Sequence, residues 1–186
     1  MIDAHLSALA ETALAARESM KPALERASAA VAAAVRAGNK VLAFGNGGSA
    51  TQAQHFAAEL VVRYKADRPG LPSVALTCDG AILTACANDY SYDYVFARQV
   101  EALGRRGDVA LALSTSGTSP SVVKALEAAR ARGLVTVLVT GLRGVAEAAK
   151  WDHGIVVPSA ETAHVQEVTP AVLHLPCPAA ENGGRA

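Results

Sequence analysis

The sequence carries no surplus charge for a polyanion. Lys plus Arg and Asp plus Glu both number 17, so the formal net charge is zero, and no basic tract forms. That excludes an extended nucleic-acid or anionic-membrane surface, and any anion must be bound locally. Cysteines are few. Cys78, Cys86 and Cys177 are odd in number, widely spaced and free of a C-x-x-C pair. They argue against a disulfide framework or zinc ribbon and fit a reducing compartment, the cytoplasm. No apolar run nears the ~18 residues needed to span a bilayer. The N-terminus has Asp3 and Glu11 among alanines and no basic segment leading into an apolar core, so no targeting signal is expected. There is no G-x-x-x-x-G-K-S/T, and the glycines at 45–48 do not follow G-x-G-x-x-G, so a small phosphorylated metabolite suits the chain better than a nucleotide.

What is present, 186 residues of which 51% are hydrophobic, is enough for one well-buried domain. Residues 3 to 37 are alanine-rich with leucine and valine at helical spacing, and Pro22 marks the start of a second helix. These helices either cover the sheet or pack at a subunit interface. Short β-branched runs then follow at 41–44, 74–77, 109–113, 135–139 and 155–157, separated by helical patterns at 80–86, 93–103, 120–132 and 144–149. Apolar strands alternating with helices predict an open, doubly wound parallel α/β sheet, with ligands beyond the strands' C-terminal ends. Residues 1–38 are read as a helical segment, 39–175 as the main domain and 176–186 as a loose tail.

The stretch Val41–Arg63 joins a strand, the turn G-N-G-G-S and a long helix. Gly45, Gly47 and Gly48 leave room for a ligand against the main chain, and Ser49 is the expected N-cap, with the positive helix end facing the loop. Four residues apart on that helix, His55 and Glu59 share a face and form a base or metal pair. A second loop, S-T-S-G-T-S-P, follows the strand at 109–113. Ser114, Thr115, Ser116 and Ser119 supply hydroxyl donors, and Ser119 followed by Pro120 reads as a helix start. Two such loops, each directly after a buried strand, point to anion binding. Asn88 and Asp89 either bond a polyol or form an Asx turn. Gln166 and His174 stand eight residues apart, so an uninterrupted helix points both the same way.

G-N-G-G-S-A-x-x-A-Q-H-F-A-A-E-L, A-N-D-Y, L-S-T-S-G-x-S-P and V-Q-E together resemble the sedoheptulose 7-phosphate isomerases, or phosphoheptose isomerases, of the SIS (sugar isomerase) domain superfamily. The likeness runs in order from about residue 40 to 175. It implies a flavodoxin-like sheet, a homotetramer with N-terminal helices and active sites at subunit interfaces, and conversion of sedoheptulose 7-phosphate into D-glycero-D-manno-heptose 7-phosphate. By the same resemblance, Asn46, Gly47, Gly48, Ser49, Asn88 and Asp89 line the substrate, and Ser114, Thr115, Ser116 and Ser119 take the phosphate. Glu59 is the base moving a proton between C1 and C2, and His174 is the opposing acid. Members that bind zinc use the positions of His55, Glu59, Gln166 and His174, so Zn²⁺ is the expected cofactor. An enediol isomerisation asks for these types: a base beside two carbons, a donor or metal at the carbonyl oxygen, and a fixed phosphate.

One departure stands out. The family usually continues Q-E-x-H, whereas here the position three after Gln166 is Thr169, and Pro170 follows it. A helical proline at 170 cannot donate to the Gln166 carbonyl and costs ~3 kcal/mol or more. It therefore predicts a kinked or ended helix between Gln166 and His174, or a new short helix capped by Thr169. Glu161 also replaces a common aspartate. If His174 is displaced, the alternative is a phosphosugar-binding SIS regulator or adaptor without turnover.

Overall fold

The computed structural model describes residues 1–183. Five strands, β1 (Val41–Gly45), β2 (Ser73–Ala75), β3 (Val109–Leu113), β4 (Val135–Thr140) and β5 (His153–Val156), pair in parallel in the order β2-β1-β3-β4-β5. Nine helices connect and cover them among the described residues. They are α1 (Ile2–Ser19), α2 (Lys21–Arg36), α3 (Gly48–Val61), α4 (Gly80–Asp89), α5 (Ala97–Leu103), α6 (Pro120–Ala131), α7 (Val145–Ala148), α8 (Thr162–His174) and α9 (Pro176–Gly183).

The strands read as unbroken apolar runs because both faces of the sheet are buried. Side chains alternate along a strand, so Val41, Ala43, Val109, Leu111, Val137 and Val139 enter one core with Val31, Phe56, Leu60, Val168 and Leu173. Leu42, Phe44, Ala110, Ala112 and Leu138 enter the other, against Phe96, Val100, Val122, Leu126 and Trp151. After β1 the chain moves outward to β2, then crosses back to place β3 on β1's other side. The C-terminal ends of β1 and β3 therefore diverge at a topological switch point, where such sheets hold ligands.

Three local expectations change. Gly47, at φ +56°, rather than Ser49, is the N-cap of α3, and Ser49 sits buried in the helix's first turn. A side chain at position 47 would be strained in that left-handed backbone. The helix α8 is neither broken nor restarted at Thr169–Pro170: it holds Pro170 in its interior and runs through to His174. The Thr169 hydroxyl donates back to the Val165 carbonyl at 2.7 Å instead of capping a new helix. Finally, Pro176–Gly183 is a helix and not a loose tail. Cys177 and Ala180 are fully buried, and Glu181 is 4% exposed. Only 184–186 of the expected tail lie outside the described residues.

Candidate active site

The helix α3 carries His55 and Glu59 on one face, and α8 packs alongside it. His55 Nε2 lies 2.8 Å from His174 Nε2 and 3.6 Å from Glu59 Oε1. The two imidazole rings are 5.1 Å apart and tilted by 60°, and the Tyr64 ring lies 5.2 Å from that of His174. Ligand atoms of His55, Glu59 and His174 all fall within 4.8 Å of one another. Two imidazole nitrogens and one carboxylate oxygen are the donor set of a catalytic zinc site, which keeps one position open. The His55 side chain is 45% exposed and Glu59 20%, so the group is open to solvent on one side. These residues fit a divalent metal of the zinc type.

At the switch point, toward the start of α3, Asn46, Ser49, Leu113, Ser114, Thr115, Ser119 and Gln166 line a cavity of about 110 Å³. It is polar because both loops bring hydroxyls and amides to the same place. Ser119 is the N-cap of α6, yet its hydroxyl faces Ser114 Oγ at 3.2 Å and does not cap its own helix. Both hydroxyls are thus aimed at the cavity beside the positive helix end. Asn46 is held on both ends, donating to Ser121 Oγ at 2.9 Å and accepting from the Tyr92 hydroxyl at 2.8 Å. A Cβ on Gly48 would lie 2.8 Å from Gln166 Nε2, so a larger residue there would make the Gln166 amide shift.

Not every expected residue joins this lining. Ser116 is absent from it, and its hydroxyl accepts from the backbone and side chain of Thr118. Asn88 and Asp89 are exposed at the end of α4, with Asn88 Nδ2 donating to Asp89 Oδ1 at 2.8 Å. The turn that follows them is nevertheless tied to the cavity through Tyr92 and Asn46.

Sequence reasoning overlooked the support behind Glu59. Arg68 donates to the carbonyls of Leu60 at 2.7 Å and Glu59 at 2.9 Å, closing the end of α3. Glu181 of α9 faces Arg68 at 3.5 Å and accepts from the backbone N–H groups of Tyr64, Lys65 and Ala66. Burial alone would raise the Glu181 pKa, but those donors and Arg68 together hold it below its ordinary value. Cys177, also on α9, is pushed up to about 12 by burial and by the nearby Glu59 and Glu181 charges. It is a packed thiol that donates to the Leu173 carbonyl, not a nucleophile.

The family model of the SIS domain matches residues 4–141, which include both loops and α3. The chain belongs to the SIS domain family. Within it, the chain belongs with the phosphoheptose isomerases. It is 52% identical over 153 residues to the phosphoheptose isomerase of a Bradyrhizobium strain, covering 82% of this chain and 77% of that protein. It is 45% identical over 181 residues to that of Thiobacillus denitrificans, covering 96% and 92%. The solved phosphoheptose isomerase of Francisella tularensis superposes with a TM-score of 0.92 at 33% identity, over 97% of this chain and 96% of that one. The α/β sheet with flanking helices is thus the SIS fold over almost its whole length. No helix among the described residues is long and apolar enough to cross a membrane.

Proposed function

We infer that this chain is a ketose–aldose isomerase that converts sedoheptulose 7-phosphate into D-glycero-D-manno-heptose 7-phosphate. The observation that carries the reading is the meeting of Glu59, His55 and His174 on α3 and α8, the same two helices that bring Ser49 and Gln166 to a hydroxyl-lined cavity at the switch point. The phosphoheptose isomerase relatives support turnover over the alternative of a non-catalytic phosphosugar-binding regulator. So does α8, which runs through Pro170 to His174 and holds His174 Nε2 2.8 Å from His55 Nε2.

In this reading Ser114, Thr115, Ser116 and Ser119 take the phosphate at the start of α6, where hydroxyl donors and the helix end favour a dianion. Asn46, Gly47, Gly48, Ser49 and Gln166, with Asn88 and Asp89, bind the sugar hydroxyls. Glu59 removes a proton from C1 while His174 protonates the C2 carbonyl oxygen, giving the enediol. Glu59 then returns its proton to C2, and the O1 hydroxyl gives up its proton to the imidazole, leaving the C1 aldehyde. Both groups end in their starting protonation states. His55, Glu59 and His174, with Gln166, would hold Zn²⁺, which supplies Lewis-acid polarisation of the sugar oxygens when bound.

The three unpaired thiols suit the cytoplasm. A homotetramer with sites at its interfaces is the expected assembly. Exposed Ile2, Leu6 and Leu14 on α1, and an apolar groove of about 450 Å³ between α1, α2 and α8, support it. The decisive assay incubates the purified protein with sedoheptulose 7-phosphate, with and without Zn²⁺, and follows heptose formation by NMR. Product in either condition is the expected result. Intact binding with no product in both would overturn the isomerase reading in favour of the binding protein.

A further inference from the structure

Pro170 removes one link from the hydrogen-bond ladder of α8. It has no N–H for the carbonyl of Gln166, four residues earlier, and its ring pushes that carbonyl off the helix axis. An orphaned, buried carbonyl ordinarily weakens a helix at that turn. Here it does not stay orphaned. Gln52 Nε2, reaching across from α3, donates to the Gln166 carbonyl at 2.7 Å. The Gln52 side chain is half-buried, and its Oε1 finds no partner, so this bond alone accounts for the amide.

The position of the bond matters. On α3, Gln52 lies between Gly48, which receives the Gln166 amide, and His55. On α8, Pro170 lies between Gln166 and His174. The interhelical bond therefore ties α3, between Gly48 and His55, to the turn of α8 that carries Gln166, eight residues before His174. A side chain as long as glutamine is required to span this gap, and it must end in a donor, since its partner is a carbonyl.

We propose that Gln52 is a positioning residue for the isomerase: it stands in for the N–H that Pro170 lacks and so sets where His174 meets His55 and Glu59. Gln52 and Pro170 are then a matched pair, the donor being needed only because the proline is there. The kinetic half of this statement rests on the isomerase reading, while the structural half does not.

Four proteins test it: wild type, Q52M, P170A and the double variant. Methionine keeps the length of glutamine and loses the donor. Q52M is expected to lower kcat about tenfold with KM within about twofold, to weaken Zn²⁺ binding about tenfold and to lower Tm. P170A alone leaves kcat within about twofold, because alanine restores the backbone N–H. In the double variant the losses caused by Q52M shrink to about twofold. If Q52M fails to fold while the double variant folds, that rescue is the same coupling in stronger form. Equal losses from Q52M in both backgrounds would overturn the pairing. A lowered Tm with wild-type kcat and zinc affinity would overturn the positioning role. If wild type itself shows no turnover, the isomerase reading fails separately, and the Tm and zinc-affinity cycles still decide whether Gln52 serves Pro170.

Discussion

In the proposed mechanism Glu59 is the base that moves the proton. Glu59→Gln keeps the side chain's length and hydrogen-bonding reach but removes its basicity. General bases contribute roughly 10²–10⁴-fold, so kcat should fall by about that factor while KM changes little. A variant with wild-type kcat would remove Glu59 from the base role. Cys177 gives a second expectation at this scale. Burial and two nearby carboxylates keep its thiol protonated, whereas Cys78 is exposed. Alkylation of the folded protein should modify Cys78 and spare Cys177 until the chain is denatured, as read by mass spectrometry; modification of both at one rate would contradict the packing of α9. The pairing of His55 with Glu59 was legible because a spacing of four on a helix fixes a shared face. Gln52 and Tyr92 were not legible. Their partners, the Gln166 carbonyl and the Asn46 amide, lie 114 and 46 residues away, and nothing local marks a side chain for so distant a contact.

At the scale of elements, the two misread segments fail for related reasons. Proline in a helix carries a cost of ~3 kcal/mol when nothing answers the lost bond, and sequence pattern cannot show a donor arriving from another helix. The stretch after Pro176 has the composition of a frayed end, yet it folds because Glu181 finds Arg68 and three backbone donors at the end of α3. The result is a brace beneath the helix that carries Glu59. Glu181→Gln should destabilise the protein by about 3 kcal/mol near neutral pH, because Arg68 is left as an uncompensated buried charge. The pH dependence follows from the lowered carboxyl pKa. Between the folded value and the ordinary 4.5, the unfolded chain holds a proton that the folded chain does not. The stabilisation is therefore complete above 4.5 and disappears as pH falls through the lowered folded value. Urea unfolding across acidic pH should show the gap between wild type and variant closing on acidification. A constant or widening gap would mean that Glu181 does not act through its charge.

At the scale of the molecule, the apolar runs made a parallel sheet legible, but the sheet's strand order enters only through the resemblance, because runs do not state their neighbours. The order matters, since it places the two loops side by side at β1 and β3. The same reasoning leaves α1 unexplained by the fold alone. Thr12 and Ala16 bury one face of this helix, while Leu6 and Leu14 are 56% and 61% exposed, roughly 80° apart around the axis. Two such exposed leucines on one helix are poorly suited to water and well suited to a second copy of the chain. Replacing both with glutamate leaves the monomer's buried face intact but would place charges in any interface that α1 forms. If the chain forms the proposed tetramer through α1, sedimentation velocity should then show smaller species that keep the wild-type circular dichroism. If the active sites are completed across that interface, kcat/KM should fall at least about tenfold together with the assembly, since each incomplete site loses part of its transition-state binding. An unchanged sedimentation coefficient would remove α1 from the interface. Dissociation with full activity would show that Glu59, His174 and the two loops of a single chain suffice for the reaction.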